Sequence, residues 1–197
     1  MMLVEETTVL SAALPVAEFK EHLRLGSGFD DDGLQETVLE SFLRASIAAI
    51  EARTGKALLE RPFAWTLPRW RDAARQPLPV APVSALAEVS LVDRMGEAVV
   101  VAPSVYRLVP DAQHPELRPV GNCLPSIPSE GQAEVRFLAG YGPDWSDVPA
   151  DLRQAVMLLA AHYYEYRDDM ALSGGCMPFG VTSLIERYRA VRLGAGA

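Results

Sequence analysis

The sequence predicts an α+β protein, with N- and C-terminal helices packed together, a small antiparallel β module inserted between them, and a C-terminal helical arm. Three observations carry this prediction. Helical periodicity runs to about residue 60. Eleven of the fifteen prolines then crowd residues 61–142, where short alternating apolar segments take over. Helical spacing returns after Pro149. No helix of useful length survives that density of proline, because each one removes a backbone donor and clashes with the preceding turn. The expected organisation is one composite domain: an N-terminal helical part over 1–60, the β module over 61–142, and the C-terminal helices with their arm over 143–197.

The first element is PVAEFKEHLRL, residues 15–25, with Pro15 suited to a helix start and Val16, Phe19 and Leu23 on one face. Gly26-Ser27-Gly28 breaks it. The stretch 30–55 then reads as a long amphipathic helix. Leu34, Val38, Phe42, Ala45 and Ala49 form its stripe, widened by Leu39, Leu43, Ile47 and Ile50. Asp32 and Gln35 have capping-box spacing, and Gly55 stands where a helix stops.

In the β module, Phe63, Trp65 and Leu67 alternate, as a half-buried strand requires. VSLVDRMGEAVVV, residues 89–101, reads as a hairpin turning around Asp93 to Gly96. YRLV (106–109) and AEVRFLAGY (133–141) are further strands, the latter with Val135 and Phe137 on one face. The next helix starts at Pro149 with Asp151 in its first turn, favourable against the helix dipole. Leu152, Val156, Leu159, Tyr163 and Tyr166 recur along it, which assigns both tyrosines to the core. After a loop containing Gly174, Gly175 and Pro178, residues 181–193 form a short last helix with Val181, Leu184, Ile185 and Tyr188 on one side.

At 197 residues the chain can bury roughly 70% of its unfolded surface without staples. Its two cysteines, Cys123 and Cys176, are too few for a disulfide framework. The net charge of −8 argues against a grip on nucleic acid, which needs clustered Lys and Arg to displace counterions from phosphates. The N-terminus lacks the basic region of a signal peptide, with Glu5 and Glu6 in its place. No run reaches the ~20 apolar residues of a membrane span.

The chemistry-bearing residues do not assemble into a catalytic set. His162 and Glu165 share a helix face at i, i+3 spacing. A carboxylate-bridged metal site would need that motif twice, with further glutamates. The enzyme alternative is a metal-dependent hydrolase using His162, Glu165 and the aspartates near 30–32; a metal site could otherwise form from His22, His162 and an acid. FDDDG (29–33) fails the calcium-loop pattern, because Gly28 falls on a ligand position. Cys176 has no histidine near it in sequence, and no cofactor is expected. Two basic patches remain. Arg187, Arg189 and Arg192 lie on the last helix with Leu184, Ile185 and Tyr188, and suit docking onto an acidic partner, with Gly174-Gly175 as a hinge. Arg69, Arg71 and Arg75 form a possible second interface.

The ordered set of parts resembles a known family. PVAEFKEHLRL, FDDDGLQETVLESFLRASIAAIEARTG, PFAWTLPRW, LPVAPVSALAEV, VRFLAGYG and VPADLRQAVMLLAAHYYEYR, over about residues 14–168, are similar to the head–tail connector (adaptor) proteins of long-tailed phages and phage-like gene transfer agents. The resemblance implies a non-enzymatic component of the particle neck, made in the bacterial cytoplasm. It implies a ring, dodecameric in the family's pattern, below the portal protein. That ring extends the DNA channel without specific binding and meets a stopper or tail component. It also implies that the C-terminal segment engages the portal, so that deleting residues 180–197 leaves the fold intact but weakens attachment. The remaining alternative is a monomeric protein-binding module.

Overall fold

A computed structural model describes residues 1–25, 33–167 and 177–189. They belong to two compact units, one of Met1–Thr8 with Leu59–Pro143, the other of Val9–Leu58 with the chain from Asp144 onward.

The first unit is all β, with two sheets. Strands β1 (Met2–Glu5), β2 (Arg61–Leu67), β8 (Gln132–Ala139), β4 (Val83–Val92) and β5 (Ala98–Val100) form a five-stranded antiparallel sheet in that spatial order. Strands β3 (Gln76–Pro77), β7 (Glu116–Pro119) and β6 (Tyr106–Val109) form a second, three-stranded sheet. Alternation decides which face is buried. Phe63, Trp65 and Leu67 of β2 are buried together with Ala133, Val135, Phe137 and Ala139 of β8. Phe63 lies opposite Phe137 in the register, and their rings stack with centroids 5.8 Å apart. Each such large side chain contributes about 1.5–3 kcal/mol by leaving water.

Arg61 begins β2 on that same buried face. Its charge is compensated by Glu5 of β1 at 2.6 Å and by the Leu59 carbonyl at 3.0 Å, and its guanidinium lies 5.0 Å from the centre of the Phe63 ring. The expected hairpin is present, with β4 and β5 paired through Ser90–Val100, Leu91–Val99 and Val92–Ala98. In its turn, the Asp93 carboxylate accepts hydrogen bonds from the N–H groups of Met95 and Glu97. Gly96 adopts φ +89°, a conformation that side chains disfavour.

The second unit is helical. It contains α1 (Val16–His22), α2 (Gly33–Thr54), α3 (Ala150–Glu165) and α4 (Phe179–Ile185). Phe19 of α1 is fully buried, and α2 packs against α3. Gly55 ends α2 as expected, at φ +69°, with its N–H donating to the Glu51 carbonyl. Trp145, just ahead of α3, donates from Nε1 to Glu18 of α1 at 3.1 Å.

Three sequence expectations need correcting. The first concerns the buried face of α2. Leu39, Leu43, Ile47 and Ile50, expected only to widen the stripe, are its centre, while Val38 is 44% exposed and Ala45 is exposed. The neighbouring face, with Glu36, Glu40 and Arg44, is held by polar contacts. Lys20 pairs with Glu36 at 2.7 Å, Ser11 donates to Glu40 at 2.9 Å, and Arg44 donates to the Val9 carbonyl at 2.6 Å. The second concerns the tyrosines. Tyr163 is half-buried and Tyr166 is 48% exposed, because α3 leaves the core in its last turn; Tyr164 instead meets Phe42 edge-on at 6.0 Å. The third concerns the N-terminal residues, where β1 is a strand within a region read as helical. The proposed Asp32 cap lies outside the described residues.

Candidate functional site

The last helix is where the sequence placed a docking surface. Pro178 precedes α4, and a 3-10 turn at Glu186–Tyr188 continues it. Val181 and Ile185 are fully buried and Tyr188 nearly so, while Leu184 is half-buried. Helix α4 packs on α3. Of the proposed contact residues, Ile185 and Tyr188 therefore already serve the core of their own unit. Arg187 and Arg189 are exposed, as is Phe179 at 88%. Arg192 and the Gly174-Gly175 hinge lie outside the described residues.

A polar clasp fixes the end of this helix. The Tyr188 hydroxyl donates to Asp151 Oδ1 at 2.7 Å, and Arg187 reaches Asp151 Oδ2 at 2.7 Å. The Arg187 guanidinium also lies 4.8 Å from the centre of the Tyr188 ring. Sequence reasoning gave Asp151 only a dipole role, because its partners come 36 and 37 residues later and no local spacing signals them. Burial pushes the Tyr188 phenol above its ordinary pKa; its hydrogen bond to Asp151 adds to this, and Arg187 opposes it. The folded state thus favours the protonated phenol. That contribution is fully present below about pH 10 and is lost as pH rises through the raised value. The Tyr188→Phe variant should lose about 1–2 kcal/mol, a melting-temperature drop of a few degrees, and should be less sensitive to alkali than the parent. Thermal melts at pH 7 and pH 10.5 check both.

The second patch lies in the β unit. Arg69, Arg71 and Arg75 are all exposed. The backbone between them is fixed by several bonds. The Arg71 N–H donates to the side chain of buried Gln76 at 2.6 Å, Ala74 N–H donates to Asp72 at 2.9 Å, and Trp70 Nε1 donates to the Pro125 carbonyl at 2.7 Å. Arg75 is balanced by Asp72 at 3.6 Å and Glu116 at 3.9 Å. Arg71, Asp72, Arg75, Pro77, His114 and Glu116 line a depression of about 420 Å³. Its mixed charges suit a polar protein contact better than an anion site.

Among the described residues, His162 and Glu165 do not converge on a metal or catalytic set. The half-buried His162 ring lies 4.8 Å from that of Tyr166, Glu165 is exposed, and His22 is exposed at the end of α1. Among the described residues, no group of three or more His, Cys, Asp or Glu is placed to hold a metal ion. Residues 30–32 lie outside them. No helix among the described residues is long and apolar enough to cross a membrane.

No protein-family model and no curated protein matches the chain. Solved structures do. A chain from the neck of an empty gene transfer agent particle, computed with C6 symmetry, is 52% identical with a TM-score of 0.90. A chain from the virion of a native gene transfer agent particle is 52% identical with a TM-score of 0.88. In each comparison 100% of this chain and 99% of the other are covered. The chain belongs to the connector family found in the necks of gene transfer agent particles. A third member, from a native neck computed with C12 symmetry, is 48% identical with a TM-score of 0.85 over the same coverage. The family expectation from the sequence is therefore correct, and it extends over the last 30 residues, which the sequence pattern left unmatched. This connector is a structural particle component, and the hydrolase alternative through His162 and Glu165 is withdrawn.

Proposed function

We propose that this connector is the ring-forming adaptor below the portal, twelve copies to a ring, extending the DNA channel and presenting a surface to the stopper or tail component. The observation that carries the proposal is its full-length similarity to neck chains in particles treated with six-fold and twelve-fold symmetry. Head-to-tail contacts between different surfaces of neighbouring copies close into such a ring. The net charge of −8 suits a wall that DNA must slide past, because a phosphate grip would retard its passage. Docking to the portal is assigned to the exposed side of the last helix, with Arg187 and Arg189, and the patch of Arg69, Arg71 and Arg75 is a second contact surface.

Light scattering on the protein alone, and after mixing with portal rings from the same particle, tests this. The expected result is a portal-dependent gain of about one 21.4 kDa subunit per portal chain. A species that stays at 21.4 kDa with portal present would instead support a monomeric binding module.

A further inference from the structure

A cyclic ring needs two different surfaces on each copy, one for the neighbour on either side. The β unit carries such a pair at the two ends of a single sheet. In the order β1-β2-β8-β4-β5, strands β1 and β5 are the edges, separated by three strands. Free sheet edges offer unpaired backbone donors and acceptors, and natural proteins usually blunt them with charge, proline or a covering segment. Apart from Glu5, whose carboxylate is engaged by Arg61, these two edges are apolar instead. Met2, Leu3 and Val4 on β1 are 60%, 38% and 41% exposed, and Val99 and Val100 on β5 are 66% and 58% exposed. Met95, in the turn that leads into β5, is 78% exposed.

The backbone matches as well. Glu6 donates its N–H to Pro62 of β2, so strand alternation turns Val4 and Met2 inward and leaves the N–H and C=O groups of Leu3 and Glu5 facing outward. Val101 donates to Val89 of β4, so by the same alternation Ala98 and Val100 face outward from β5. Each edge therefore presents two residues, each with one donor and one acceptor, and exposed apolar side chains lie along both edges up to Glu5.

We propose that these edges are the two halves of the contact between copies, with β5 of one connector meeting β1 of the next around the ring. This rests on the ring reading above. It goes further in naming the surfaces and in requiring that they be unlike. A contact of β5 with β5, or of β1 with β1, would close a two-fold dimer and stop. A contact of β5 with β1 can continue from copy to copy until the ring closes. The occupant of each edge is thus a second copy of this chain.

The experiment uses the full-length protein loaded onto portal rings, in a Cys123→Ser, Cys176→Ser background, with Leu3→Cys and Val99→Cys added singly and together. Under mild oxidation the double variant should give a ladder of covalent oligomers. An equal mixture of the two single variants should give dimers, and either single variant alone should give none. Separately, Val100→Lys, at an exposed position, should lower ring occupancy on the portal at least tenfold while leaving the circular dichroism spectrum of the free protein unchanged. Self-linking by Val99→Cys alone would overturn the proposal, as would rings of the double variant that form without a ladder. Wild-type occupancy by the Val100→Lys protein would also overturn it. If the unmodified protein gains no mass on portal rings, the ring reading itself fails, an outcome separate from the others.

Discussion

The Gly140→Ala variant should unfold roughly 6–12 °C below the parent, corresponding to a loss of about 3 kcal/mol. Gly140 directly follows β8 and adopts φ +144°, where a side chain is strained whatever space surrounds it. There is no space either. A Cβ at this position would lie 2.3 Å from both the Cα and the N of Glu60 and 2.5 Å from the carbonyl carbon of Leu59. All three are backbone atoms, so no rotamer change relieves the clash.

The neighbouring bonds show what would have to move. Gly140 donates its N–H to the Pro82 carbonyl at 3.0 Å, just before β4, and Glu60 donates to the Gly142 carbonyl at 2.8 Å, just before β2. Three backbone segments meet here, and the paired ends of β2, β4 and β8 depend on their spacing. A methyl group that pushes them apart disturbs the central three strands of the sheet. Gly121→Ala is the control, because a Cβ there meets nothing within 4 Å, and its melting temperature should stay within about a degree of the parent. A Gly140→Ala loss below about 1 kcal/mol would show that the crossing can relax.

Gly140 also shows where sequence reading succeeds and where it stops. The strand that leads into Gly140 was legible in AEVRFLAGY, because alternation is local. That Gly140 specifically must lack a side chain follows from the approach of Glu60, 80 residues earlier, and no spacing reports that. The same division holds elsewhere. Phe63, Trp65 and Leu67 announced β2, and Asp93 to Gly96 announced the β4–β5 hairpin, because alternation and turn residues sit within a few positions. Strands β1, β3 and β7 gave no signal: β1 is exposed along its whole length and β3 has two residues. Along α2 the apolar residues span more than one face, and periodicity could not say which face α1 and α3 would cover. In the last helix, the basic character was legible. The clasp from Asp151 to Tyr188 was not.

That clasp, and the burial beneath it, leads to the other large expected effect. Truncation before Gly180 should destabilise the helical unit by roughly 5 kcal/mol or more, contrary to the expectation that residues 180–197 form a dispensable arm. The segment contributes Val181, Ile185 and Tyr188 to the core, and each buried side chain of this kind is worth about 1.5–3 kcal/mol. Truncation also exposes the surface of α3 that α4 covers and leaves Asp151 without its two partners. A fall in the melting transition of the helical unit, with increased binding of a hydrophobic dye, checks this. An unchanged melt would restore the detachable arm.

The consequence reaches the assignment of function. Lost portal attachment in the truncated protein would not by itself identify a docking segment, since the unit that carries it would be damaged. Phe179→Ala and Arg189→Ala separate the two effects, because both side chains are exposed and neither belongs to the core. If α4 docks while still packed on α3, these variants should weaken attachment at an unchanged melting temperature. If α4 must leave α3 to dock, attachment should instead respond to the clasp, and Tyr188→Phe should attach faster than the parent while melting lower. The packing of Ile185 and Tyr188 favours the first outcome, because leaving would expose about as much apolar surface as truncation removes.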